Sequence, residues 1–466
     1  METARTKKPA TLKLSIITLL LIIAFIAVGV GVFHVDIAVT LFLSWLIIWA
    51  VAATLGYRFS ELEEFAYEMA KKCIVPAAII LAVGMMISAF MAAGTVPAIL
   101  AAGLRIITPK FFLLITFIMC MLMSVLTGTS WGTLGTIGIA MMGVGAGLGV
   151  NPAITAGAVV GGAWFGDKMS PMSDSTIMCS TITGTPLMEH IKAMMQTTIP
   201  AAAIAAIIYT IIGFTTSGKT YDHDTVDEII NGLGNLFHLN ILVIIPVILV
   251  IVLIVLKKGT VVALLCGTVV ASVIAVLVQG YSISEIGGFL YSGFTCESGS
   301  EIVDSLVQRG GMTSLLSLLA VFVGGLGLGG MLDKTGLLTP ILDAIKNRTK
   351  STRGIMVAAW IATLLCIVVI PDNNFAFVMI GTLFAPLFKT YQLHTRNLSR
   401  VLEDVGTLGS ALIPHNVGAQ FAAGVLGVST LAYLPYAFLN WLTPIISLIF
   451  ILIQFKITKI DEAAEL

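Results

Sequence analysis

The chain has 466 residues, of which 58% are hydrophobic and only 11% charged, and its 25 basic and 25 acidic residues give a formal net charge of zero. About 25% of the residues of a soluble globular protein are charged, so this chain lacks the polar side chains to cover a water-facing surface. The charge balance, without a long Lys/Arg block, gives no indication of a nucleic-acid partner. We therefore predict an all-α polytopic membrane protein.

Apolar segments recur along the whole chain, several of them long enough to cross about 30 Å of hydrocarbon. The first, from Leu14 to Phe33, follows four basic residues and has no evident cleavage site, so we interpret it as a retained span rather than a signal peptide. The apolar segments run roughly over residues 14–33, 36–55, 73–93, 111–126, 133–149, 153–165, 195–214, 237–256, 260–278, 313–332, 354–370, 375–388, 400–413 and 431–455.

Four polar, Gly- and Pro-rich breaks separate the shorter of these segments. Backbone groups without partners cost several kcal/mol in lipid, so such breaks persist only inside protein or beside a water-filled cavity. We predict broken helices and re-entrant hairpins there. The breaks lie at residues 127–130, 166–186, 371–374 and 412–427.

An internal repeat appears when the chain is aligned with itself at an offset of 243 residues (340 − 97), which superposes Pro97 on Pro340. The same offset superposes Pro171 on Pro414, and the break at 127–130 falls on residues 370–373. We predict two halves, residues 1–225 and residues 226–466.

Loop charge predicts how each half lies in the membrane. Under the positive-inside rule, the basic N-terminus and the basic stretches at 257–258 and 346–353 are cytoplasmic, whereas the acidic loop 215–235 is outside. The two halves are then inverted, with both termini on the cytoplasmic side of the cytoplasmic membrane. Inverted repeats with broken helices are typical of secondary transporters, whose sites lie at the repeat interface.

The densest polar cluster is GDKMSPMSDST at 166–176, which contains Asp167, Ser170, Ser173 and Asp174. Two carboxylates and several hydroxyls suit a small hard cation, which prefers oxygen ligands. A carboxylate held away from water can take up a proton and release it when a cation arrives, so one carboxylate can serve two ions in turn. The alternative is a solvent-exposed loop of ordinary turn residues.

A second cluster is TGTSWGT at 127–133, in which Thr127, Thr129 and Ser130 offer hydroxyl oxygens. We predict that Thr129 joins Asp167 and Asp174 as a ligand of Na+. The alternative is close helix packing through small residues.

A third cluster, Pro371-Asp372-Asn373-Asn374, occupies the repeat position of the second. Asp372 and Asn373 form a candidate ligand set beside a broken helix, and the alternative is a loop at the membrane surface.

The fourth cluster, at 398–416, contains Glu403, Asp404, His415 and Asn416 as candidate ion or substrate ligands. Arg400 lies four residues before Asp404 and could neutralise it on a helix face, which would make this a structural ion pair instead. His415 could relay protons or be a satisfied structural residue.

Three stretches resemble the NhaC family of sodium/proton antiporters: GDKMSPMSDST, TGTSWGT, and LSRVLEDVGT with the following LIPHN. Some members of that family exchange organic acids such as malate and lactate along with sodium and protons. The resemblance covers most of the chain and implies transport roles for Asp167, Ser170, Asp174, Glu403 and Asp404. It also implies that a homodimer is one candidate assembly.

The sequence departs from the family pattern at two places where a substrate could bind. His415 stands where the family often has Trp, and the Pro-Asp-Asn-Asn stretch is atypical of it.

Three functions are compatible with these patterns. The first is sodium/proton antiport, with Na+ and H+ as the transported ions and no cofactor. The second is coupled exchange or symport of a small organic acid or amino acid, whose anionic group Lys168, Arg400 or a half-helix N-terminus could hold. The third, an intramembrane aspartyl protease, is disfavoured because Trp164 occupies the first glycine position of a GxGD signature.

The chain contains no GxxxxGK[ST] motif, so ATP hydrolysis is not expected to drive transport. We predict an inverted-repeat secondary transporter in the lipid bilayer and not an enzyme.

Overall fold

The computed structural model describes residues 7–216, 223–347 and 351–460. Some of the charged residues used to predict the orientation lie outside these ranges. Arg5, Asp222, Arg348 and Lys350 are outside the described ranges, as is the side chain of Asp224.

Helices make up nearly all of the described chain, and these residues form no β-strand, only an isolated bridge between Leu393 and Lys459. The α-helices are α1 (Leu12–Gly31), α2 (Ile37–Thr54), α3 (Phe59–Ala70), α4 (Ile74–Ala92), α5 (Thr95–Ile106), α6 (Pro109–Thr127), α7 (Ser130–Thr133), α8 (Ile139–Gly147), α9 (Pro152–Met169), α10 (Asp174–Thr183), α11 (Leu187–Thr216), α12 (His223–Leu236), α13 (Ile245–Val255), α14 (Thr260–Gln279), α15 (Ile283–Ser292), α16 (Glu301–Val307), α17 (Ser317–Lys334), α18 (Thr339–Asn347), α19 (Thr352–Val369), α20 (Asn373–Thr390), α21 (Thr395–Leu402), α22 (Leu408–Ser410), α23 (Val417–Leu426), α24 (Thr430–Tyr433) and α25 (Phe438–Ile453).

Shorter helical turns complete several of these elements. Single 3-10 turns lie at Lys71–Cys73, Ile241–Ile244, Met312–Leu315 and Leu434–Tyr436. Two π turns, Leu134–Gly138 and Glu403–Thr407, join α7 to α8 and α21 to α22. Such turns are rare and frequently occur at functional sites.

Within the described ranges, eight helices are long and apolar enough to cross a membrane, and up to ten if each of two sharply bent pairs counts as one span. One bent pair joins Val417–Leu426 to Thr430–Tyr436 at 89°. The prediction of a polytopic helical protein with broken helices is therefore confirmed. The predicted first span corresponds to α1, and the stretch around Glu61–Lys72 continues into α4 as one helix of 34 residues.

The helix boundaries follow the same offset of 243 residues as the sequence repeat. α10 and α23 coincide residue for residue, and each ends at a left-handed glycine, Gly184 with φ 66° and Gly427 with φ 69°. α6 shifted by this offset would cover residues 352–370, and α19 spans Thr352–Val369. The division into halves at 225 and the inversion of the second half stay predictions.

Sequence signals explain where the helices break. Gly128 ends α6 at φ 69°, and Thr129 is extended before α7 begins. α20 begins after Asp372, whose carboxylate accepts a hydrogen bond from the backbone amide of Asn374. Aspartate at this position satisfies an amide that has no partner within the helix.

In each half, the two breaks contact each other. The Ser170 hydroxyl donates to the carbonyl of Val125 over 2.9 Å, which joins the α9–α10 break to the end of α6. In the second half, the amide of Val417 donates to the carbonyl of Pro371 over 3.3 Å. These contacts bring four helix ends of each half together inside the protein.

Candidate functional site

A cavity of about 1080 Å³ lies where the four breaks meet. Its wall combines residues of both halves, which are far apart in the sequence. Among its polar lining residues are Lys72, Thr127, Thr129, Ser130, Asp167, Asp174, Ser175, Lys257, Asp372, Asn373, Asn374, Ser410 and Asn416.

Asp167 is positioned in the last turn of α9, where this helix packs closely on α6. Its carboxylate accepts two hydroxyl hydrogen bonds, from Ser130 at 2.7 Å and from Ser173 at 2.9 Å. The Ser175 hydroxyl donates to the backbone carbonyl of Asp167 over 3.0 Å. The breaks before α7 and before α10 therefore both contribute oxygens around one carboxylate.

All three residues predicted to bind Na+ line this cavity. Asp174 is the first residue of α10 and is exposed, whereas Thr129 is half-buried in the extended segment between α6 and α7. The carbonyl of Thr129 accepts the Thr133 hydroxyl at 3.0 Å. The structure thus places Asp167, Asp174 and Thr129 in one space, and their role as ligands stays a prediction.

The second half contributes mainly amides. The Asn373 side chain donates to the Ser410 hydroxyl over 3.3 Å and accepts from the Asn416 side chain at 3.5 Å. Asp372 lies 3.7 Å from the Lys72 ammonium. Lys72 follows α3, at the end of a stretch that contains Glu61, Glu63, Glu64 and Glu68.

A separate buried cluster lies behind the cavity. The Lys168 ammonium forms an ion pair and hydrogen bond with Asp404, and neither side chain has any solvent exposure. The Thr197 hydroxyl also donates to Asp404, over 2.8 Å, and Thr407 donates to Glu403. Glu403 and Asp404 therefore do not line the cavity.

The ion pair that the four-residue spacing indicates between Arg400 and Asp404 is replaced by the pair with Lys168. Arg400 donates instead to the Gln196 side chain at 2.8 Å and to the carbonyl of Lys456 at 3.1 Å. A π turn begins at Glu403, between Arg400 and Asp404, so the regular spacing of an α-helix no longer sets their faces.

Three further predicted residues also lie away from the cavity lining. Ser170 is buried and joins two breaks through its hydroxyl, and Ser173 is buried and donates its hydroxyl to Asp167. His415 is half-buried, with its Nε2 atom 2.6 Å from the carbonyl of Val368.

The cavity also contains residues that the sequence did not indicate. Lys72, Lys257 and Ser410 line it, and the indole of Trp164 donates to the Ser410 hydroxyl over 3.3 Å. The serine lies seven residues after Glu403 on a helix that already carried predicted ligands. Its place on this helical segment is the one sequence signal that could have identified it.

Broken helices that meet around a polar cavity inside a polytopic helical protein define a secondary transporter. The model of the Na+/H+ antiporter family matches residues 2–185 and 162–455 of this chain. The chain belongs to the Na+/H+ antiporter family, as its three motifs predicted.

Curated relatives cover nearly the full length. The chain is 34% identical over 446 residues to the Na(+)/H(+) antiporter NhaC of Alkalihalophilus pseudofirmus, covering 95% of this chain and 96% of the relative. It is 36% identical over 405 residues to the Malate-2H(+)/Na(+)-lactate antiporter of Bacillus subtilis, with 87% and 86% covered. It is also 30% identical over 436 residues to the Arginine/ornithine antiporter ArcD of Halobacterium salinarum, with 92% and 89% covered.

Proposed function

We propose that this chain exchanges Na+ for H+ across the cytoplasmic membrane and that Asp167 carries the two ions in turn. The observation that supports this proposal most directly is the surroundings of Asp167. Among the described residues its carboxylate forms no ion pair with a lysine or arginine, and both of its oxygens accept serine hydroxyls. The adjacent Lys168 pairs with Asp404 instead. The charge of Asp167 is therefore available to a transported cation.

Competition at one carboxylate couples the two ion fluxes. Sodium is a hard cation that prefers oxygen ligands, and Asp167 with Ser130 and Ser173 supplies three such side chains. A proton on Asp167 neutralises the same charge. An ionised carboxylate carried through a low-dielectric region without a cation is costly. Asp167 therefore crosses between the two sides with either Na+ or H+ bound. Each Na+ moved in one direction is exchanged for H+ moved in the other.

We further propose that the cavity opens toward the cytoplasm in this conformation. Lys257 lines the cavity and belongs to the basic stretch that the positive-inside rule places inside. Lys72, which also lines the cavity, adds a second positive charge. This orientation is consistent with cytoplasmic N- and C-termini.

The test is sodium-driven proton flux in proteoliposomes that contain a trapped pH dye. Wild-type protein should respond to sodium and not to choline, and Asp167→Asn should reduce this response to the level of empty liposomes. The variant should fold, because a charge at the membrane centre costs about 2.5–3.5 kcal/mol and the amide removes it.

Asp343→Asn is the matched control, since the Asp343 side chain is 44% exposed and pairs with Lys346 outside the cavity lining. It should retain wild-type flux. Wild-type flux in Asp167→Asn would remove this residue from the ion path, and absence of sodium-dependent flux in the wild type would refute the proposal.

Coupled exchange of a small organic acid or amino acid is the second candidate. The cavity volume of about 1080 Å³ is far larger than a dehydrated ion needs. The Asn373 and Asn416 amides and Lys72 supply donors for a carboxylate, whereas Lys168 and Arg400, predicted for this role, are buried away from the cavity. Two relatives are antiporters of malate with lactate and of arginine with ornithine.

Adding malate, lactate or an amino acid to the same liposomes distinguishes the two functions. Proton flux that requires both sodium and one of these solutes would support coupled exchange. Flux with sodium alone, unchanged by the solutes, would support simple sodium/proton antiport.

A further inference from the structure

Glu403 is a completely buried carboxylate with an incomplete set of partners. Its Oε2 atom accepts the Thr407 hydroxyl, whereas its Oε1 atom has no hydrogen-bond partner among the described residues. Buried polar atoms are nearly always hydrogen-bonded, so an open carboxylate oxygen inside the protein needs a physical explanation, and a proton that binds there is one.

Among the described residues, no strong donor satisfies the Oε1 atom of Glu403, and atoms of three neighbours, Asp404 Oδ2, His190 Nε2 and Arg400 Nε and Nη2, also lack partners. The nearest cation, Lys168, is paired with Asp404, and Arg400 donates to Gln196 and to a backbone carbonyl. The Cys179 thiol beside Glu403 is a weak donor. The groups that face this cluster are Asp167 and Lys168 from α9, Cys179 from α10, His190 from α11, and Arg400 and Asp404 from α21 and its π turn.

The other helices packed against this π turn add little charge. α25 carries no titratable side chain. α19 carries Cys366 and, in its first turn, Arg353, and α20 carries Lys389 in its last turn. With Glu403 ionised, the cluster contains two carboxylates, Glu403 and Asp404, and two buried cations, Lys168 and Arg400, so its formal charge is zero even though none of the described cations forms an ion pair with Glu403. Glu403 can therefore lose its proton without leaving a net negative charge in the cluster. A proton needs only the one open oxygen, Oε1, whereas a metal cation would need several oxygen ligands.

A polar face of the same helix leads from Glu403 to the cavity. Ser410 lines the cavity, and its hydroxyl donates to the carbonyl of Thr407 over 2.7 Å. The Thr407 hydroxyl in turn donates to Glu403. These two hydrogen bonds, rather than regular helix spacing, connect Glu403 through Thr407 to Ser410 at the cavity wall.

We propose that Glu403 is a second proton-binding site, separate from Asp167, which is loaded and unloaded once in each transport cycle. The proton binds at the Oε1 atom and exchanges with the cavity, whose wall the same helical segment reaches at Ser410. This proposal rests on the proposed sodium/proton exchange. Asp167 alone exchanges one proton for one sodium ion without net charge movement. With Glu403, two protons move against one sodium ion, and each cycle moves one net charge.

The experiment measures the proton-to-sodium ratio of the full-length protein in liposomes whose membrane potential is clamped to zero. The proton gradient that stops net flux reports the ratio. A roughly tenfold sodium gradient is balanced by about one pH unit if one proton moves, and by about half a unit if two protons move. We expect two protons for the wild type and one for Glu403→Gln, in which the amide still accepts the Thr407 hydrogen bond.

Glu189→Gln is the matched control, because it makes the same change at a carboxylate that is 42% exposed and outside the cluster. It should retain the wild-type ratio. A ratio of one in the wild type, or a ratio of two in Glu403→Gln, overturns the assignment of Glu403. Absence of any sodium-dependent proton flux in the wild type would instead refute the proposed function.

Glu403→Gln could fold and still show no sodium/proton exchange. In that case isotopic sodium/sodium exchange is measured. Retained sodium/sodium exchange supports a proton-specific role, and its loss overturns the proposal. If Glu403→Gln does not fold, Glu403→Asp is measured in its place. A changed pH profile of transport with normal sodium/sodium exchange supports the proposal, and an unchanged profile overturns it.

Discussion

The buried ion pair between Lys168 and Asp404 allows a quantitative test of the structure behind the cavity. Neither side chain is exposed, and the Thr197 hydroxyl also donates to Asp404. Asp404→Asn keeps an oxygen that can accept from Thr197 but leaves the Lys168 ammonium without an anion. Removing one partner of a buried pair typically costs about 3–5 kcal/mol.

Lys168→Met should cost a similar amount, because it leaves the Asp404 carboxylate unpaired. The double variant contains neither charge, and replacing a whole buried pair is often close to neutral. We expect its free energy of unfolding to lie within about 2 kcal/mol of the wild-type value. The sum of the single effects should then exceed the double effect by about 4 kcal/mol or more.

Unfolding in mixed detergent micelles, followed by the fluorescence of the six tryptophans, measures these free energies. The Lys334–Glu68 pair is the control, since its side chains are 48% and 58% exposed. Solvent screening should make its coupling small. If the effects at Lys168 and Asp404 are additive, the two side chains do not form the buried pair, and the arrangement described for the cluster is wrong.

Two further pairs of substitutions test the proposed sodium site and the packing of the helix that carries Asp167. Ser130→Ala and Ser173→Ala each remove one hydroxyl oxygen that is proposed to bind sodium beside Asp167, and we take the loss of one such contact to a charged group as about 1.5–3 kcal/mol. The sodium concentration for half-maximal flux should therefore rise by about tenfold to a hundredfold, and normal values in both variants would contradict the proposed ligand set. Gly166 packs directly against the backbone of α6, and the methyl group of Gly166→Ala would overlap Ser124 and Val125 there. We therefore expect loss of folded protein, and a normal yield would contradict this packing. Gly184→Ala, in open space at φ 66°, should cost only about 1–2 kcal/mol and leave transport normal.

The sequence predicts the positions of the helix breaks well because the residues that cause them act locally. Gly128 adopts a left-handed conformation that other residues avoid, and Asp372 and Asn416 cap the helices that follow them. Polar residues beside such breaks must avoid lipid, which is why the sequence alone indicates Asp167 and Thr129 as candidate ligands.

The sequence does not predict which polar groups pair across the protein. Lys72 reaches Asp372 only through tertiary packing, and nothing in the acidic stretch before Lys72 indicates that contact. The partner of Asp404 was missed for a different reason. Local spacing favoured Arg400, but a π turn changes the helix face at that position, and π turns have no simple sequence pattern.

Asp167 and Lys168 are consecutive residues that serve different sites, which links the cavity to the buried cluster mechanically. On a helix, consecutive side chains point about 100° apart, so one can line the cavity while the other pairs with Asp404. The Thr176 hydroxyl donates to the carbonyls of both residues, at 3.2 Å and 2.9 Å. The break between α9 and α10 therefore holds the two backbone positions together. A shift of the Asp167 backbone toward an arriving sodium ion also moves the backbone of Lys168, whose ammonium pairs with Asp404. We expect sodium binding to change the surroundings of Glu403 through this connection, without direct contact between the ion and the glutamate.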